Sequence, residues 1–315
     1  MFHWKKRGLI FSPSGERPWM SSHAQVPFSL DLGTCIRVYF STREAYRNNM
    51  TRAYGGFVDL ERRNLKNVLR VASEPILPLG GAGAFDEFGI MPCSVVRHNG
   101  EYRLYYAGWS RAVSVPYTWA IGYATSTDGE HFQKHGRGGP LLGATGDEPY
   151  LQGCPMVYKI AENDWHMFYL SGIQWLHTRG QMESQYSIMH ATSQDGIHWQ
   201  RDGKPVIKNR VELESQTTGA IIRLDNQYHM FFSYRHSLDF REERGRGYLI
   251  GYARSDDLFT WTRDDTQVGI ALSETGWDAD MITYPHITRI DGKIILFYCG
   301  NEFGKDGFGY AELEM

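Results

Sequence analysis

Cysteine is scarce and unpatterned. Cys35, Cys93, Cys154 and Cys299 are scattered over 315 residues, with no Cys-x-x-Cys pair and no zinc spacing. Basic runs are missing too. With a formal charge of −3, binding to a phosphate backbone has little electrostatic footing, so no nucleic-acid partner is expected. No apolar run reaches transmembrane length. Lys5, Lys6 and Arg7 are not followed by an apolar segment, so no signal peptide is expected. No stretch carries a sustained helical period with caps. The 12 prolines and 34 glycines are spread along the chain without a linker-like cluster. These absences predict a soluble, reducing, cytoplasmic setting and no membrane partner. They leave oligomeric state open.

What the chain does have is one phrase repeated at a nearly fixed interval. Residues 102–142 begin YRLYYAG and pass through AIGYATSTDGEHF to GGPLL. Residues 165–207 begin WHMFYLSG and pass through SIMHATSQDGIHW to GKPVI, and residues 228–270 begin YHMFFSYR and pass through LIGYARSDDLFTW to QVGI. Tyr102, Trp165 and Tyr228 are spaced 63 residues apart. Weaker copies extend the series: KIILFYCG with GFGYAELE at the C-terminus, and RVYFSTR, YGGFVDLE and SEPIL upstream. Self-similarity at a fixed period signals a repeat architecture.

Each copy reads as short strands, dense in Phe, Tyr, Ile and Val and punctuated by turn residues about every ten positions. YHMFF and WHMFY are continuous apolar runs, as in strands buried on both faces. Ser-x-Asp-Gly marks a tight turn between the third and fourth strands, and the next aromatic, Phe132, Trp199 or Trp261, should pack over it. Four strands per repeat, radially arranged, make a β-propeller blade. The predicted fold is all-β: a single five-bladed propeller domain over 1–315, with blades at about 19–77, 85–142, 147–207, 214–270, and 278–315 plus 1–11. The last copy lacks its fourth strand, and FHWKKRGLIF at 2–11 matches IHWQRDGKPVI at 197–207. The N-terminal strand should therefore close the ring, with Lys5–Phe11 beside Phe308–Leu313, and remove the open sheet edges.

In such a fold the inner strands gather residues from every blade into one funnel. The candidate inner strands carry polar residues just upstream of a proline or glycine. These are His23 with Gln25, Asp86 with Glu87, Asp147 with Glu148 and Gln152, Glu214 with Gln216, and Asp278 with Asp280. Carboxylates recur in four of the five. Each alone suits a strand start or a turn cap. Converging carboxylates would repel, raising one pKa and supplying an acid beside an ionised base, the pairing that glycosidic cleavage needs. Asp86 or Asp280 is the candidate general acid and Glu148 or Glu214 the candidate base, with His23 as a further candidate. The loops after the second strands hold Trp109, Arg111, Trp175, Arg235, His236 and Asn301, and Tyr284 precedes an inner-strand proline. Aromatic faces and forked donors suit sugars, although Trp109 and Trp175 are equally read as packing between blades. Arg235 beside His236 suits a ligand carboxylate or phosphate, or equally neutralises nearby acids. Converging carboxylates would also suit a structural Ca²⁺ on the axis; no motif demands one, and no other metal or cofactor is called for.

The phrase YxMFYxG…IxxAxSxDGxxWxRxGxPVI resembles that of the five-bladed propeller glycosidases, glycoside hydrolase families 43, 32, 68, 117 and 130, over the whole chain. GWDADMITYP, YCGNEFGKDGFGYA and FDEFGIMP look closer to a bacterial subgroup linked to surface-polysaccharide biosynthesis. The resemblance implies a carbohydrate, sugar phosphate or sugar nucleotide as partner. The chain departs from it where those families place acids: Val26, Met91, Cys154 and Tyr284 stand before the inner-strand prolines. The leading reading is an enzyme acting on a glycosidic bond, as hydrolase, phosphorylase or transferase. The second is a non-catalytic glycan-binding propeller in polysaccharide assembly. The third is an interaction scaffold, which a tapering acidic and aromatic funnel disfavours.

Overall fold

The computed structural model describes residues 1–46 and 50–314. The chain is all-β. In order the strands are β1 (Trp4–Phe11), β2 (Ser22–Asp31), β3 (Cys35–Arg43), β4 (Ala53–Glu61), β5 (Asn64–Val71), β6 (Gly89–His98) and β7 (Glu101–Arg111). They continue with β8 (Tyr117–Ser126), β9 (Gln133–Lys134), β10 (Gln152–Ala161), β11 (Asp164–Thr178), β12 (Gln181–Ser193), β13 (Gln200–Pro205) and β14 (Glu214–Leu224). The last are β15 (Gln227–His236), β16 (Leu249–Ser255), β17 (Thr262–Arg263), β18 (Thr283–Ile290), β19 (Lys293–Cys299) and β20 (Phe308–Leu313). Helix is confined to single turns at Asp265–Gln267 and Asn301–Gly304.

The strands form antiparallel sheets β10–β13, β14–β17 and β18–β19–β20–β1. A fourth, eight-stranded sheet joins β2–β5 to β6–β9 through a single parallel pair, Ala53 with Gly89. β1 pairs with β20, Lys5 opposite Glu312 and Phe11 opposite Phe308, as the repeat register predicts. Trp4 Nε1 donates to the Val268 carbonyl at 3.0 Å, and Phe2 packs edge-on against Phe231. The two ends of the chain are thus fastened to the β14–β17 sheet as well as to each other.

Sequence explains the local shape. In the Ser-x-Asp turns, Ser126 Oγ accepts from the Asp128 and Gly129 N–H groups, while Asp128 Oδ1 accepts from Glu130 and His131. Ser193 with Asp195 and Ser255 with Asp257 repeat this. The turn's backbone donors are satisfied by side chains two or three residues away, so it needs no outside partner. The aromatic that follows is fixed as well: Trp199 Nε1 donates to Gly196 O and Trp261 Nε1 to Leu258 O.

Apolar clusters join neighbouring sheets. Val157, Trp165 and Met167 pack on Tyr105 and Tyr123, and Phe168 and Ile188 pack on Ile221 and Phe232. Ile295, Phe297 and Phe308 pack on Ile36, Val38 and Leu60. The inner strands bulge where the sequence places proline or glycine, because proline has no N–H to give the ladder. Val26, Cys154, Thr218 and Tyr284 there take φ of 53, 46, 53 and 53°, left-handed values that are costly for side chains of this kind. Hydroxyls and thiols lie among the apolar side chains around them: the Tyr284 N–H donates to Ser233 Oγ at 2.8 Å, and Thr218 Oγ1 lies 3.1 Å from Ser233 Oγ. Cys154 Sγ lies 4.0 Å from Met91 Sδ, and Cys299 Sγ donates to Ala24 O. Among the described residues no three His, Cys, Asp or Glu side chains are grouped as metal donors.

Candidate functional site

The recurring carboxylates are brought into equivalent places, but not to one another. Asp86 accepts from the Tyr106 hydroxyl at 2.9 Å and pairs with Lys134 Nζ at 2.6 Å. Glu148 accepts from the Tyr169 hydroxyl at 2.9 Å, with Arg201 at 3.7 Å. Asp278 accepts from the Tyr298 hydroxyl at 2.9 Å and pairs with Lys6 at 2.7 Å. In each sheet an acid before the inner strand, a tyrosine on the second strand and a cation on the outermost strand close a buried clasp. The β14–β17 sheet carries Phe232 in place of the tyrosine. Glu214 there takes Arg263 at 2.6 Å, Gln216 Nε2 at 2.7 Å and the N–H groups of Arg210 and Val211 instead. Burial and the adjacent carboxylate push the Tyr106, Tyr169 and Tyr298 hydroxyls far above the usual tyrosine range.

This arrangement corrects the expectation that Asp86, Glu148 and Glu214 share one funnel. Each is buried beside a cation of its own sheet, which supplies the counter-charge that the expectation left out. Gln152 is held in the same region, donating to the Glu148 carbonyl at 3.1 Å. Glu87 accepts from the Gly83 N–H at 2.8 Å. Trp175 packs between sheets, as the alternative reading had it, while Trp109 packs within its own sheet. Trp109 lies over Gly89, where a Cβ would meet its Nε1 at 1.6 Å. Trp175 stands edge-on to Tyr117, which stacks on Trp119. Arg111 is exposed, over the Phe88 ring.

Three of the remaining candidates, His23, Asp280 and Asn301, meet in a cavity of about 710 Å³ that also takes in Arg43, Phe240, Arg241, Arg244, Glu302, Phe303 and Lys305. Asn301 Oδ1 accepts from the Asp280 and Met281 N–H groups at 2.8 and 3.1 Å, so it fixes the backbone that presents Asp280. The Asp280 carboxylate is 63% exposed, 3.4 Å from Arg244 Nε. His23 has φ of 64°, its N–H donates to Lys305 O, and its Nδ1 lies 2.8 Å from Ser22 Oγ. Burial, aided by Arg43 and Lys305, lowers its pKa to about 3, which leaves a neutral imidazole facing the cavity. Lys305 pairs with Glu302 at 2.8 Å. Arg43 has no carboxylate within 4.0 Å among the described residues, and burial lowers its pKa.

Arg235, His236 and Tyr284 lie beside this cavity rather than on its wall. Arg235 is 4% exposed. Tyr284 is buried 5.8 Å from Tyr248, centroid to centroid. His236 N–H bonds to Arg246 O, and burial lowers the His236 pKa. Sequence reasoning passed over Arg43, although the register gave a signal. Ser41, Ser233 and Cys299 stand opposite Gln25, Thr217 and Thr283. Two residues on come Arg43, Arg235 and Asn301, the same strand-end position in three repeats. Phe240 and Arg241 belong to the segment between β15 and β16, which has no counterpart in the repeat.

The fold places the chain in a recognisable class. A glycoside hydrolase structure superposes with a TM-score of 0.74 at 18% identity, over 98% of this chain and 90% of that one. A member of the GH130 family, described as mannoside phosphorylases containing glycoside hydrolases that target β-1,2 mannosidic linkages, superposes with a TM-score of 0.67 at 15% identity, over 99% and 93%. The chain shares the glycosidase propeller fold of these neighbours. No family model matches it. It belongs to the family of the uncharacterized protein Rv1502 of Mycobacterium tuberculosis, to which it is 33% identical over 99% of both chains. A β-1,2-mannobiose phosphorylase of a Thermoanaerobacter species is 32% identical over 43% of each protein.

Proposed function

We propose that the chain is a glycan-active enzyme that breaks or transfers a glycosidic bond in the cavity beside Asp280. One observation carries this reading: a positioned, exposed carboxylate and an acid-free guanidinium, Asp280 and Arg43, share one cavity with neutral His23. Asp280 serves as the proton donor or acceptor at the glycosidic oxygen. Glu302, from the turn on the other side of Asn301, is the second carboxylate within the same wall. Arg43 and Lys305 offer charge to an anionic acceptor, which favours phosphorolysis in the manner of the mannoside phosphorylases over hydrolysis. The test is a panel of β-mannosides and other glycosides incubated with and without phosphate. Phosphate-dependent release of a sugar phosphate supports the reading. No turnover with any glycoside, while a sugar still binds, would overturn it.

The fold reading that goes with this is a five-bladed ring. It takes β2–β5 and β6–β9 as separate blades, with the β1–β20 ladder as closure. The apolar clusters between successive sheets, including the one between β18–β20 and β2–β5, support it.

The second reading is a non-catalytic glycan-binding protein in polysaccharide assembly. It is favoured by the neutralisation of three of the four predicted catalytic acids inside their own sheets. Binding without turnover in the same panel would select it.

A further inference from the structure

Buried guanidinium groups elsewhere in the chain are paired with acids. Arg37 bonds Asp59 through two nitrogens at 2.7 and 3.0 Å, and Arg263 meets Glu214 and Asp265 at 2.6 and 2.9 Å. Arg235, like Arg43, is an exception, and it is the more deeply buried of the two. Its Nη1 donates to the His236 carbonyl at 2.8 Å and its Nη2 to the Tyr186 hydroxyl at 3.1 Å. Its buried Nε has no partner, and no carboxylate lies within 4.0 Å among the described residues. Ring faces stand where a counter-ion would be expected: Phe240 at 3.6 Å, Tyr186 at 5.3 Å and Tyr248 at 5.4 Å from the guanidinium carbon. Ring faces compensate a desolvated cation only in part.

We propose that the cavity continues behind Phe240 into a closed subsite, built on Arg235 with the hydroxyls of Tyr186 and Tyr248, that takes an anionic group carried by a sugar ligand. The proposal rests on the glycan reading above and names the substrate class: sugars bearing a phosphate or a carboxylate. The Tyr186 and Tyr248 hydroxyls are hydrogen-bonded to each other, so both already sit where they can turn a proton toward an oxyanion. Arg235 then supplies the forked donors that suit phosphate and carboxylate.

Phe240 and Phe303 close this subsite. Their rings meet at 6.0 Å, and Phe303 is 6.1 Å from Tyr248. Glu302 and Phe303 hold left-handed φ of 48 and 62°, and Asp239 one of 58°. Strained residues of this kind collect at clamps and switch regions. The Phe240 segment is tied down largely by pairs at partly exposed side chains, Arg179–Asp239 at 2.9 Å, Arg241–Glu183 at 3.5 Å and Arg244–Asp280 at 3.4 Å. Such pairs are weak and salt-screened. A ligand that gives Arg235 a counter-ion can therefore displace the ring.

The test is calorimetry with mannose, mannose 1-phosphate, glucuronate and inorganic phosphate on the wild type, Arg235→Met and Arg43→Met. A charged sugar should bind more tightly than mannose, and Arg235→Met should lose roughly 10- to 100-fold for the charged sugar alone. The two charged sugars separate phosphate from carboxylate. Equal affinity for charged and neutral sugars, or a loss confined to Arg43→Met, would overturn the subsite. If Arg235→Met does not fold, phenylglyoxal labelling read by peptide mapping replaces it. Residue 235 should label slowly in the wild type, faster in Phe240→Ala, and slowly again when that variant holds the charged sugar. Labelling indifferent to the sugar overturns the proposal. Anion binding that survives without any glycoside turnover would sink the enzymatic reading and leave this one standing.

Discussion

The clasps inside the sheets and the cavity beside Asp280 draw on the same residue types and use them in opposite ways. In the clasps each acid is buried and has a hydroxyl or backbone donors and a cation. In the cavity Asp280 is exposed, Arg43 has no acid, and the backbone at His23, Glu302 and Phe303 is strained. The recurring acids find a cation inside their own sheet, whereas the recurring strand-end position of Arg43 and Arg235 holds guanidinium groups with no acid among the described residues. A recurring charge is thus architecture when its counter-charge recurs with it, and a pointer to a site when it does not.

The comparison can be broken from either side. The largest effect on the fold is expected from Arg263→Met, which strands Glu214 as a buried acid and should cost about 3–5 kcal/mol in chemical denaturation. A variant as stable as wild type would show that the clasp contributes nothing. Asp280→Asn should do the reverse. Its stability should stay within about 0.5 kcal/mol, while turnover of any glycoside found to react should fall about 10²–10⁴-fold. Equal turnover would remove Asp280 from the chemistry. Tyr169→Phe is milder than either. It takes one donor from Glu148 and should cost about 1–3 kcal/mol, and Phe232 shows that a sheet tolerates phenylalanine when other donors replace the hydroxyl.

The smallest effect is a slope. Burial holds His23, His190 and His286 at about 3, 4 and 3, below the ordinary value of about 6.5. The unfolded chain therefore binds more protons between pH 6.5 and about 3, so stability is fully present above that window and falls as pH drops through it. His23→Gln should flatten this acid limb and leave stability at pH 7.5 nearly unchanged. An unaltered limb would mean that His23 titrates normally.

Much of this was legible in the sequence. The repeat phrase gave the strands, the Ser-x-Asp turns gave their connections, and the likeness of residues 2–11 to 197–207 gave the β1–β20 ladder. The clasps were half legible. Their acids were seen, but their cations were not, although Lys134, Arg201, Arg263 and Lys6 each stand two residues after the turn aromatic or its counterpart, at Phe132, Trp199, Trp261 and Trp4. Reading the acid without its cation turned a neutral pair into an apparent catalytic cluster. The cavity was legible only in pieces, because Arg43, Phe240 and Lys305 come from three distant segments, and only Arg43 has counterparts in the repeat. Their meeting depends on how the sheets pack, which a one-dimensional pattern does not encode.

The Lys6–Asp278 clasp has a consequence for biosynthesis. Lys6 and Asp278 are 272 residues apart in the chain, so β1 must wait, unpaired, while the residues between them are made. Until β20 emerges, an apolar strand holding Trp4, Leu9, Ile10 and Phe11 has no ladder to join, and Asp278 later enters its sheet with no cation beside it. The nascent chain therefore exposes an apolar strand to chaperones and proteases until β20 is made.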